Sequence, residues 1–160
     1  MVILGVTIRD DLRATSHVDG VLAACSGSLH ALRVLRAHGL PSIALHDVAR
    51  ATTMARLLYA APAWWGFAGA EDRHRIERFQ RKMQRIGYLP STTKGIEEMI
   101  GEAERGLLQA VIWNENHVLR GLFPEVVEKH YNLRPRPHNF KLPAKDDKNY
   151  IGLPRVLYRK

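Results

Sequence analysis

Two adjacent carboxylates, Asp10 and Asp11, and a band of cations from Arg75 to Arg85 are the side chains of this 160-residue chain best suited to chemistry. Carboxylates on a strand-turn can hold Mg2+ for phosphoryl transfer. Here the pair follows a β-branched segment and runs into Leu12-Arg13-Ala14-Thr15-Ser16, where Thr15 and Ser16 are N-cap candidates. No third carboxylate joins them at a readable spacing, so an ordinary polar turn is the expectation. The eight histidines are scattered, with no His-x3-His or Cys-x2-Cys spacing. Neither a Gly-rich phosphate loop nor a Gly-x-Ser-x-Gly elbow occurs, so no catalytic residue and no metal site is expected in this chain. Cys25 falls on an apolar helical stripe and reads as a small core residue.

The cations are the better lead. At 100° per residue, Ile76, Phe79, Met83 and Ile86 fall within an arc of about 80°, one narrow apolar face. Arg78, Arg81 and Arg85 lie roughly opposite, with Lys82 and Arg75 to one side. Such a helix can lie along a phosphate backbone, and it can equally be a solvated face with Glu77 and Arg81 paired at i,i+4. A second basic set, Arg134 and Arg136, is interleaved with Tyr131, Phe140 and Tyr150, a mixture suited to RNA or single strands.

These groups need a scaffold. Met1 to Asp11 reads as one β-branched strand with no second strand nearby, so its partner is expected upstream of Met1. Helix one is expected over 17–38, with Val18, Val21, Leu22, Cys25, Leu29 and Leu32 as its stripe and Gly39 as a left-handed C-cap. Helix two is expected over 42–60, ended by Pro62. Trp64 and Trp65 in the aromatic knot that follows read as a plug between helices, with base stacking the alternative. Helix three is expected over 70–86, a turn-rich connector over 87–95, and a less regular helix four over 96–119. The expected fold class is mainly α: one N-terminal β-strand, a bundle of about four helices, and an irregular basic C-terminal tail. The corresponding segments are 1–15, 16–88, 89–124 and 125–160.

Charge divides the chain in the same way. Residues 1–128 hold 15 Lys and Arg against 14 Asp and Glu, whereas 129–160 hold 9 against 2. Basic tails attract phosphate polymers by counterion release, and they are also commonly disordered with no partner. One cysteine excludes an intramolecular disulfide framework and fits a reducing compartment, with cytoplasm and nucleus both open. No run of 18 apolar residues and no signal-peptide pattern occurs, so no membrane partner is expected.

Several segments, in order, resemble the region after the catalytic palm in reverse transcriptases of non-LTR (LINE-type, jockey-like) retrotransposons. They are Leu4-Gly5-Val6-Thr7-Ile8, Asp11-Leu12, Ser16-His17-Val18-Asp19 and Ala31-Leu32-Arg33-Val34-Leu35-Arg36. Leu58-Tyr59-Ala60-Ala61-Pro62-Ala63-Trp64 is similar to the family's leu-x-tyr-ala-ser-pro-x-trp pattern, with alanine for serine. The run from Ile76-Glu77 through Gln80 and Arg85-Ile86 is similar to its leu-glu-x-x-gln-x-x-x-x-arg-x-ile helix, and His130 to Arg136 resembles a common C-terminal segment. The resemblance implies that Leu4 and Gly5 belong to a primer grip and that the helices form a thumb on an RNA or RNA–DNA duplex. It also implies that the fingers and the Mg2+-binding palm, with its tyr-x-asp-asp turn, lie in a missing upstream segment. The chain alone is then expected to be inactive and to carry no cofactor. A stand-alone helical nucleic-acid-binding module and a non-functional transposon remnant are the alternatives.

Overall fold

The N-terminal segment folds back on itself. In the computed structural model, which describes residues 1–127, 138–142 and 157, β1 (Val2–Ile3) pairs antiparallel with β2 (Val6–Thr7). The register is Val2 to Thr7 and Ile3 to Val6. The expectation of one long strand is thereby corrected: the segment is a two-stranded hairpin. The loop residues Leu4 and Gly5 take φ of 48° and 81°, the pattern of a type I′ turn, whose twist suits a two-residue hairpin. The hairpin was hidden because Leu-Gly lacks the Asn-Gly signature of such turns. A second polar turn follows, in which the Arg13 amide donates to Asp11 Oδ1 at 3.2 Å.

The rest of the described chain is mainly helical, as expected. Helix α1 (Thr15–Ala37) buries His17, Val18, Val21, Cys25, Leu29 and Leu32 at three- and four-residue steps. Neither proposed N-cap acts as one: Ala14 takes that position, and the Thr15 hydroxyl donates instead to Asp72 at 2.8 Å. At the other end Gly39 has φ of 85°. The Leu40 amide donates to the Leu35 carbonyl and that of Gly39 to Arg36, the paired bonds of a Schellman motif. By length and a mean hydropathy of 1.2 in its most apolar window α1 also meets the requirement for a membrane span. Of that window 28% is buried, along the stripe that packs on the next helices.

Helix α2 (Ser42–Ala49) continues through a π-helical turn (Arg50–Met54) into α3 (Ala55–Leu58), close to the expected second helix. The Thr52 hydroxyl donates back to the Val48 carbonyl at 2.7 Å, and the Cys25 thiol donates to the Thr53 carbonyl at 3.8 Å. Both engage carbonyls at this irregular turn. Ala60, at φ of 49°, turns the chain into the short α4 (Ala61–Trp64) and a 3-10 turn (Trp65–Phe67). Trp64 and Trp65 are fully buried, edge to face with ring centroids 5.8 Å apart. They plug the core and are not a stacking platform.

Helix α5 (Ala70–Arg85) and the connector complete the first compact unit, which ends at Ile100. Helix α6 (Ile96–Trp113) begins in it and is six residues shorter than the segment expected over 96–119. Gln80 binds the connector to α5. Its Nε2 donates to the Lys94 carbonyl at 2.6 Å and its Oε1 accepts from the Ile96 amide at 2.8 Å. The second unit, Gly101–Lys160, holds a small cluster of Leu108, Phe140 and Leu157. In it Arg120 donates to the carbonyls of Val111 and Ile112 at the end of α6. Most of the tail expected over 125–160 lies outside the described residues.

Candidate nucleic-acid interface

Elementary helix chemistry explains why α5 forms and where it stops. Glu71 and Asp72 occupy its first turn and Lys82 and Arg85 its last, each of the sign that the helix dipole favours there. Gly87, at φ of 79°, ends it in a second Schellman motif, with the Tyr88 amide donating to the Met83 carbonyl at 2.9 Å. The buried row is Asp72, Ile76, Gln80 and Met83, with Phe79 and Ile86 half-buried beside it. The apolar face read from the sequence is therefore right in position but is threaded by two polar side chains.

Opposite that row, Arg78, Arg81, Lys82 and Arg85 are exposed and together line an open depression of about 370 Å3. These are four of the five α5 cations picked out by spacing. They are not equivalent. Arg78 donates to Glu71 at 3.1 Å, two turns back, and Arg81 lies 3.5 Å from Glu77 at i,i+4. Glu77 is also 4.0 Å from His74 Nδ1. Among the described residues Lys82 and Arg85 make no ion pair, so their charge is open to solvent.

The fifth cation has another occupation. Arg75 donates to Asp19 on α1 at 2.6 Å and to Asp72 at 3.1 Å. Hydrogen bonding to Asp19, reinforced by Asp72, raises its pKa above the ordinary arginine value. Asp72 is buried and accepts from both Arg75 and Thr15, so the group joins α1 to α5. Two further cations serve the scaffold. Arg73 lies 5.4 Å from the Trp65 ring, and Arg36 lies 4.6 Å from the Tyr88 ring while donating to the Ile86 carbonyl.

Leu4 and Gly5 stand apart from this helix face. They form the hairpin tip, with Leu4 86% exposed, and the Tyr59 hydroxyl donates to the Leu4 carbonyl at 3.1 Å. Arg134 and Arg136 lie outside the described residues. Asp11 is 3.5 Å from Arg9 and 3.8 Å from Arg13, so its carboxylate already has cationic neighbours. No group of three or more His, Cys, Asp or Glu that could hold a metal occurs among the described residues. Burial pushes the Cys25 thiol pKa up to about 11, against the opposing pull of Arg56, which leaves it protonated at neutral pH. The Glu77–Arg81 pair expected at i,i+4 is present, whereas Glu71 and Arg78, seven residues apart on one helix face, were a readable pair that the sequence reading missed. Asp19 and Arg75, 56 residues apart, were not readable. No protein-family model, curated protein or solved structure matches this chain.

Proposed function

We propose that this chain is a template–primer-positioning segment of a LINE-type RNA-directed DNA polymerase, without the polymerase's catalytic palm. The observation that carries the reading is the gathering of Arg78, Arg81, Lys82 and Arg85 on one open face of a helix whose other face is buried. Guanidinium and ammonium groups in a row contact successive phosphates and fix the orientation of a duplex without reading its sequence. The ordered resemblance to the post-palm region supports the choice of an RNA–DNA duplex as ligand. Chemistry on that duplex belongs to carboxylates in a segment this chain lacks.

Fluorescence anisotropy with an RNA–DNA hybrid, repeated across a salt series, tests it. Replacing all four cations by glutamine should weaken binding at least tenfold and flatten the dependence of log K on log salt. The slope is about 0.9 per duplex phosphate contacted. Unchanged affinity in a folded variant would remove α5 from the interface, and primer extension by the chain alone with Mg2+ would overturn the claim that it lacks a catalytic centre. A second reading is a stand-alone helical nucleic-acid-binding module, in which the N-terminal hairpin pairs within the chain. A preference for hybrid over single-stranded RNA distinguishes the positioning role from the module.

A further inference from the structure

The cationic face of α5 carries its own competitors. Glu71 holds Arg78 at 3.1 Å and Glu77 holds Arg81 at 3.5 Å, so two of the four cations lining the depression are occupied by carboxylates of the same helix. Only Lys82 and Arg85, one turn nearer the C-terminus, are without an ion pair among the described residues. We infer that Glu71 and Glu77 act as internal mimics of backbone phosphates, restraining Arg78 and Arg81 until a polyanion displaces them, and so set the affinity and salt dependence of this face. The inference rests on the proposal that α5 binds a nucleic-acid backbone.

The energetics favour exchange. The carboxylate side chains are 77% and 37% exposed and their arginine partners 57% and 61%, so both pairs sit in high dielectric. Pairs of this kind are weak and easily opened. A phosphodiester oxygen can replace either carboxylate oxygen as acceptor, and a row of phosphates additionally releases condensed counterions, which a single carboxylate does not. Binding then proceeds in two stages. Lys82 and Arg85 provide the initial attraction, and Arg78 and Arg81 add their contacts once Glu71 and Glu77 have swung away. The device explains why an otherwise cationic helix face includes acids within reach of two of its arginines.

The test uses the full chain and an RNA–DNA hybrid, with Glu71→Gln, Glu77→Gln, the double variant and Glu97→Gln as a charge-matched control. Glu97 is exposed in the first turn of α6 and has no ion pair among the described residues. Each α5 substitution should tighten binding about two- to fivefold, which is the weight of one exposed ion pair. The double variant should also show a steeper salt dependence than the wild type, by up to about 0.9 per arginine released to a phosphate. Equal tightening by Glu97→Gln would show a bulk-charge effect and overturn the inference. Weaker or unchanged binding in the double variant would overturn it too. If Lys82→Gln with Arg85→Gln weakens binding while the acid variants change nothing, the competitor role alone fails. If neither set changes binding, the interface itself is wrong.

Discussion

Arg75 separates what spacing suggests from what packing assigns. It lies on the cationic side of α5, yet the structure commits it to Asp19 and Asp72. Replacing it with glutamine keeps much of the stem and removes the fork. The Asp19 contact is largely exposed on the acid's side and is worth about 0.2–1 kcal/mol. Asp72 is different: its side chain is 8% exposed and would be left with Thr15 as its only described donor. Hydrogen bonds to a charged group contribute about 1.5–3 kcal/mol. Arg75 itself is 32% exposed, so water partly replaces it and the lower part of that range applies. The expected loss is therefore about 2–3 kcal/mol, or roughly 10–20 °C in melting temperature for a unit of this size.

Urea unfolding followed by far-ultraviolet circular dichroism measures the loss, and a cycle with Asp72→Asn isolates the pair, with an expected coupling of about 1–2 kcal/mol. Binding of the hybrid duplex by the folded fraction should stay within about twofold of wild type, because one phosphate contact fewer would cost more than that at low salt. A variant with wild-type stability would refute the bridging role. A stable variant that binds as poorly as one lacking Lys82 and Arg85 would restore Arg75 to the interface.

Other expectations follow from single groups. Gln80→Ala leaves the Lys94 carbonyl and the Ile96 amide without their α5 partner and should cost about 2–4 kcal/mol by urea unfolding, with faster hydrogen exchange at Ile96. Leu4→Asn should stabilise the hairpin by up to about 1 kcal/mol, since asparagine tolerates the left-handed conformation better than leucine; a destabilised variant would contradict the strain argument. Burial lowers the His17 pKa in the folded state, so the unfolded chain binds more protons as pH falls through its own value. Stability should be complete above about pH 6.5 and decline below it, a slope that His17→Phe should flatten in urea midpoints taken at two pH values. Cys25, buried and held protonated, should react with a disulfide reagent only after unfolding, and rapid labelling of the native chain would refute its burial.

How much of this was legible depends on the distance over which each feature is encoded. The stripe of α1, the Gly39 stop and the two-faced α5 are local and periodic, and they were readable to within a residue or two. The tryptophan plug was readable because two large rings have few other places to go. The hairpin failed on one residue: Leu4 in a loop position that usually takes asparagine or aspartate makes a turn look like the middle of a strand. Thr15 looked like a cap because the residue type is right, but Asp72, buried far along the chain, claims its hydroxyl. The cations were legible as a set and not as individuals, since the sequence does not say which of them has a carboxylate from another helix.

The azimuth of α5 is fixed by three anchors of different chemistry, and they decide which of its cations face outward. Near the N-terminus Arg75 and Asp72 tie the helix to α1. At the middle Gln80 holds the connector through a donor and an acceptor at once, which no apolar residue could do. At the C-terminus, past the Gly87 turn, the amide of buried Tyr88 donates to the Met83 carbonyl, and Arg36 from α1 donates to the Ile86 carbonyl. A helix held at both ends and in the middle cannot roll to satisfy its charges, so Arg78, Arg81, Lys82 and Arg85 must face outward together. On the proposed function, that fixed azimuth lets several cations meet several phosphates of a duplex at once.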